Sequence, residues 1–258
     1  MSTWLTLEQA LAAPDLRVAP VRAGVPSPWS EFIRACFNVK RVSFSLVDAR
    51  DADRSLASLK KLTGQESLPV VFWKDERPRS DWLEQLLLSE RISAEPRLLP
   101  DDAHERATVI GLIAELCSEA GLGWHRRIMM IERLLTEPRF SERERGVGRY
   151  LAAKYRHSTD SVEKSIRRCE DILAVFADLR TNDRDYLVGS SLTALDLAWA
   201  AFAAMIQPLS EELCPMKPLW RDLYTWMPEA TAPNRVHALL AHREKVYRDW
   251  LPLPVELG

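Results

Sequence analysis

Apolar residues recur along the chain in two different periods. Over residues 16–22 they alternate with polar ones, which is the period of a half-buried strand. Pro20 within this run marks an edge or a strand end. Residues 42–47 predict a second strand and 68–73 a third, strongly apolar one. A short fourth strand includes 77–79. Between these runs the spacing lengthens to that of helices. Residues 5–13 predict a short N-terminal helix. From 28 to 39, Trp29, Phe32, Ile33, Cys36 and Phe37 form one apolar face, with Pro28 in the first turn, where its missing N–H costs nothing. Residues 51–62 predict a helix ended by Gly64, and another runs from Ser80 to 90. After the N-terminal helix the order is β-α-β-α-β-β-α, a small mixed sheet with helices packed on it.

The pattern changes after the proline-bounded stretch 95–100, a connector at which the domain boundary is expected. From there the helical period continues to the C-terminus, with helices over about 101–120, 124–136, 141–158, 160–180, 193–207, 216–226 and 235–250. The expected organisation is an α/β domain over 1–94 and an all-α domain over 95–258.

Composition narrows the function classes. The chain has 258 residues, 47% of them hydrophobic, and a net charge of -2, so neither nucleic acid nor an anionic membrane is an expected partner. The N-terminus lacks the positive and apolar regions of a secretory signal, and no apolar run approaches the roughly 20 residues that span a bilayer; a cytoplasmic setting is expected. Four widely spaced cysteines and five scattered histidines suggest neither a dithiol site nor a metal centre.

Four short signals remain. Ser27 stands where a strand ends and a helix begins; it either caps the helix or, with the first-turn amides and the helix dipole, stabilises an anion such as a thiolate. Ser30, in the same turn, is the runner-up or a solvent-facing residue. Leu68-Pro69 opens an apolar strand; a cis bond there is expected, turning the Leu68 backbone outward to pair with an extended peptide. Ser80 starts a helix and either caps it or, with Arg79, binds a carboxylate. Thr193-x-x-Asp196 before an apolar run reads as a structural capping box. At 121–127, Trp124 offers a flat apolar surface and Arg126 and Arg127 offer anion binding, at what is otherwise a glycine-relaxed helix junction.

In this order the signals resemble the cytosolic glutathione transferase superfamily, over nearly the whole chain. The resemblance implies a thioredoxin-like N-terminal domain that binds glutathione as co-substrate and a helical C-terminal domain that lines a pocket for a small electrophile. It implies Ser27 as the catalytic residue, with Trp29, Ser30, Leu68, Pro69, Arg79 and Ser80 binding glutathione and Trp124 and Arg127 in the electrophile pocket. It also implies a homodimer, joined through the helix at Ser80 and the first long helix after Pro100. The chain departs from the family pattern in its extra N-terminal helix, in Thr63-Gly64-Gln65-Glu66 before the proline, and in Arg79-Ser80 where the family has Glu-Ser. The expected function is activation of the glutathione thiolate for attack on an electrophile; the alternative is a non-catalytic binding or interaction protein of the same fold. A thiol oxidoreductase is disfavoured, because Cys36 falls too deep in its helix.

Overall fold

The computed structural model describes residues 4–53, 55–180 and 184–257. Strand β1 (Leu5–Thr6) leads into helix α1 (Leu7–Ala12), followed by β2 (Arg17–Ala19), α2 (Pro28–Val39), β3 (Ser45–Asp48), α3 (Ala57–Thr63), β4 (Val70–Phe72) and α4 (Trp82–Ile92). The sheet order is β1-β3-β2-β4, with β1 and β2 parallel to β3 and β4 antiparallel to β2. The period of two governs its faces. Val18 and Val71 point into the main core, while Ala19, Val70 and Phe72 point to a smaller cluster with Ala10, Val47 and Leu59 beneath α1 and α3.

Several expectations shift. The N-terminal helix over 5–13 is shorter, because Leu5 and Thr6 join the sheet edge and Thr6 closes a capping box with Gln9. The helix over 51–62 begins only at Ala57: the Asp51 carboxylate binds the Ser55 hydroxyl and the Ser58 N–H and holds the stretch before it as a loop. Residue 54 lies outside the described residues. Gly64 ends that helix at φ 77, a conformation glycine adopts without steric cost. The strand over 77–79 is reduced to one antiparallel bridge between Arg79 and Val71.

Only helices follow the connector among the described residues: α5 (Ala103–Cys117), α6 (Leu122–Thr136), α7 (Glu142–Tyr155), α8 (Asp160–Leu179), α9 (Ala194–Phe202) continued by a 3-10 turn, α10 (Pro218–Tyr224) and α11 (Pro233–Trp250). By length and composition the stretch Ala103–Thr136 could cross a membrane. It is broken at 118–121 into two 15-residue helices, each shorter than the roughly 20 residues a span needs, and they pack on α8 and α9.

The connector is held from both sides. Buried Lys40 pairs with Glu90 at 2.7 Å and donates to the carbonyls of Ser93 and Pro96. Leu98 donates to Glu90 and accepts from the Ala194 N–H. Beside it, the Asp196 carboxylate accepts from the N–H and hydroxyl of Thr193 and from the Leu187 N–H, and meets His242 Nε2 at 2.9 Å. The capping box is therefore structural, as its sequence implied.

Candidate functional site

A cavity of about 370 Å³ opens where the C-terminal end of β2 faces α6, α7 and α10. A second, of about 180 Å³, adjoins it beside the start of α4; the two share Trp29, Leu68, Lys154 and Tyr155 as walls.

Ser27 is the N-cap of α2, yet its side chain makes no cap bond; it is buried and lines the larger cavity. Pro28 has no N–H, and the amides of Trp29 and Ser30 have no partner among the described residues. An uncapped helix end with a hydroxyl beside it favours an anion. The preceding residue is clamped: Tyr224 Oη donates to the Pro26 carbonyl at 2.8 Å and accepts from Arg127 at 3.0 Å.

The two neighbours expected to bind glutathione have structural roles. Ser30 does not face solvent; it is fully buried, and its hydroxyl accepts from the Val21 N–H at 3.0 Å, fixing the strand end to the helix. Trp29 donates through Nε1 to the Cys117 carbonyl at 2.9 Å and meets Phe202 edge-on with ring centroids 5.0 Å apart. A Cβ on Gly123 would lie 2.5 Å from Phe202 and 2.8 Å from Trp29, so that glycine lets α6 approach the indole. Trp29 still walls both cavities through its ring.

Leu68–Pro69 is cis. The Leu68 N–H and C=O have no partner among the described residues, and Leu68 lines both cavities. Buried Gln85 holds the strand start, donating to the carbonyls of Pro69 and Arg79 at 2.9 Å each.

The expected carboxylate site is different. Ser80 does not start α4; Asp81 does, and its carboxylate accepts from the N–H groups of Leu83 and Glu84 at 2.9 and 3.1 Å. The amides that were to receive a ligand's carboxylate are taken by the protein's own. Arg79 is ion-paired with Glu76. Ser80 lines the smaller cavity, and so does Trp124, which packs on Tyr155 at 4.7 Å and not in the larger cavity where an electrophile pocket was expected. Arg127 does line the larger cavity.

Helix α7 contributes residues that the sequence reading missed. Val147, Tyr150, Leu151, Lys154 and Tyr155 all face the larger cavity. Their spacing of three, four, seven and eight is one helical stripe, and a lysine within such a stripe is the signal that was available. Burial lowers the Lys154 pKa and nearby Arg127 lowers it further, against Glu66. Burial pushes the Tyr155 hydroxyl up, and Arg127 pulls the other way.

All four cysteines are buried and free. Desolvation raises their thiols, that of Cys214 to about 11 and that of Cys169 to about 12, so none is poised as a nucleophile. Among the described residues no group of three or more His, Cys, Asp or Glu side chains converges.

No protein-family model and no curated protein matches the sequence. Solved structures do. The β-etherase LigF of Sphingobium sp. strain SYK-6 superposes with a TM-score of 0.63 at 16% identity, over 92% of this chain and 97% of that one. A glutathione S-transferase of Methylobacterium radiotolerans in complex with glutathione sulfonate gives 0.58 at 17% identity, over 94% and 97%. A rice enzyme of the same kind, in complex with glutathione, gives 0.57 at 18% identity, over 93% of each chain. At such identities the likeness is one of fold: a thioredoxin-like sheet unit followed by a helical unit, which is the glutathione transferase fold.

Proposed function

We propose that the chain is a glutathione transferase-type enzyme that activates the glutathione thiolate for attack on a small electrophile. One observation carries the reading: the Ser27 hydroxyl, free of any capping role, and the unpaired Leu68 main chain open onto the same cavity. Leu68 can pair with an extended peptide as an added strand does. Ser27 and the open first turn of α2 can hold a thiolate, lowering the thiol pKa towards neutrality. Glutathione would supply the sulfur, which bonds to the electrophilic carbon as the leaving group departs with its electron pair. The α2 end suits that thiolate, whereas the Asp81-capped end of α4 does not suit a ligand carboxylate, so the co-substrate's carboxylates must be met elsewhere.

Asp81 also favours a second reading, a binding protein of this fold without catalysis. Calorimetric titration with glutathione, followed by the reactivity of the bound thiol, separates the two. Saturable heat with faster thiol attack is expected; saturable heat without it, or absence of heat, overturns the first reading and supports the second.

We further propose a boundary between domains at 94/95, a cytoplasmic homodimer, and α4 and α5 as its contact helices; Leu87, about half exposed on α4, suits such a contact. Sedimentation at micromolar concentration tests the dimer.

A further inference from the structure

Adjacent arginines on α6 have opposite surroundings. The Arg126 guanidinium is fully buried and met by protein: Nε donates to the Met205 carbonyl at 2.8 Å, Nη2 to the Tyr224 carbonyl at 3.2 Å, and its plane lies over Trp226. Arg127 turns to the larger cavity instead. Its partners are the hydroxyls of Tyr224 and Tyr155 and, more distantly, the Met130 sulfur, and no carboxylate lies within ion-pair distance of it among the described residues. Lys154, one α7 stripe away, likewise has no described ion-pair partner. Among the described residues Glu66 is the one carboxylate in the cavity wall, and it is engaged with Lys60 at 2.7 Å.

The rest of the wall is apolar or aromatic: Val25, Leu56, Ile131, Leu134, Leu151 and Trp220 among others. Its volume of about 370 Å³ lies in the range of about 300–1,000 Å³ usual for small-molecule sites. Glu66 acts on Lys154 from a distance but is bonded to Lys60, so two cations share at most one spoken-for carboxylate; in an apolar enclosure that favours a joining anion, and an apolar wall selects what else that anion must carry.

We propose that the larger cavity takes an aryl carboxylate, its ring against the apolar wall and its carboxylate between Arg127 and Lys154. As a statement of substrate class this rests on reading the cavity as the electrophile pocket; as a statement of binding it needs no glutathione. The carboxylate can accept from a guanidinium and an ammonium together, and such charge-assisted bonds are stronger than neutral ones.

The test is calorimetry on the full chain without glutathione, using 2-naphthoate and its uncharged isostere 2-naphthamide as probes. Naphthoate is expected to bind at least about tenfold more tightly, one charge-assisted bond's worth. Lys154→Met and Arg127→Met are each expected to weaken naphthoate about tenfold and leave naphthamide unchanged. Because Arg127 also holds Tyr224, Arg127→Lys serves as its check: it keeps the charge and should retain most of the preference. Equal binding of the two probes, a parallel loss of both in Lys154→Met, or no binding of naphthoate overturns the inference. A glutathione titration alongside keeps the two readings apart. Naphthoate preference without glutathione binding sinks the proposed function and leaves this site standing; the converse does the opposite.

Discussion

Helices α2 and α4 both begin at the cleft, each behind a serine, and each start was a candidate anion site. In α4 the cap is Asp81, whose carboxylate takes two first-turn amides. In α2 the cap is Ser27, whose hydroxyl takes none, and the Trp29 and Ser30 amides have no partner among the described residues. A helix start becomes a ligand site only if its own cap leaves the donors unused. The residue pattern placed Ser80 at the start of α4; a shift of one residue put a charge there and occupied two of the first-turn amides.

The largest effect that would sharpen this contrast involves the charge in the first turn of α2. Glu31 is raised to about 7 by burial, against Arg34 and with Glu256 adding to the rise. Its folded pKa exceeds its unfolded value of 4.5, so the native state holds the proton more tightly. That stability is fully present below about pH 4.5 and is lost as pH rises through about 7. The difference, 7 − 4.5, corresponds to at most about 3 kcal/mol. Denaturant melts of Glu31→Gln should gain on the native chain by up to that amount between pH 4.5 and 8; parallel curves would contradict the buried carboxyl.

Next is the hydroxyl itself. Ser27→Ala should raise the thiol pKa of bound glutathione by roughly 1–2 units and lower turnover near neutral pH by about one to two orders of magnitude. Because Ser27 makes no cap bond, the melt should stay put. A shifted melt with unshifted turnover reverses the contrast and makes Ser27 a plain cap.

Gly123→Ala attacks the open end from the side. A methyl 2.5 Å from Phe202 and 2.8 Å from Trp29 forces both rings to move, at a cost of about 2 kcal/mol, and should disturb ligand binding at α2. A silent substitution would show that α6 can withdraw. Asp81→Ala tests the closed end: it should cost about 1 kcal/mol, while Asp81→Asn, which keeps the acceptor, should cost little.

The smallest effect is in pH. Lys154 has its pKa lowered by burial and by Arg127, against Glu66, with Tyr150 and Tyr155 on its own helix beside it. A bound carboxylate favours the charged lysine, so naphthoate affinity should fall as pH rises through that lowered pKa, and naphthamide affinity should not. Lys154→Met should flatten the curve.

Periodicity carried most of the fold. The three long strands, the helix at Pro28, the αL stop at Gly64 and the seven C-terminal helices all lie near their expected places, because each is written in a local repeat of apolar residues. Leu5–Thr6 escaped it: two residues are too few to show a period, and their strand exists only because β3 offers a free edge. The site was legible in part. Ser27, Leu68, Pro69 and Arg127 are where a cleft forms, whereas Trp124 faces the smaller cavity.

By itself, then, the sequence determined which segments bury which faces, where helices start and stop, and that the chain has a sheet unit followed by helices. These follow from side-chain period and local backbone preference, which act over a few residues. Only the tertiary structure decided which helix end stays open, which of two adjacent arginines meets carbonyls and which meets a cavity, and that α7 supplies Lys154 to it. Those outcomes depend on partners far away in sequence, such as Met205 for Arg126 and Tyr224 for Arg127, and no local pattern encodes a contact made across some eighty to a hundred residues.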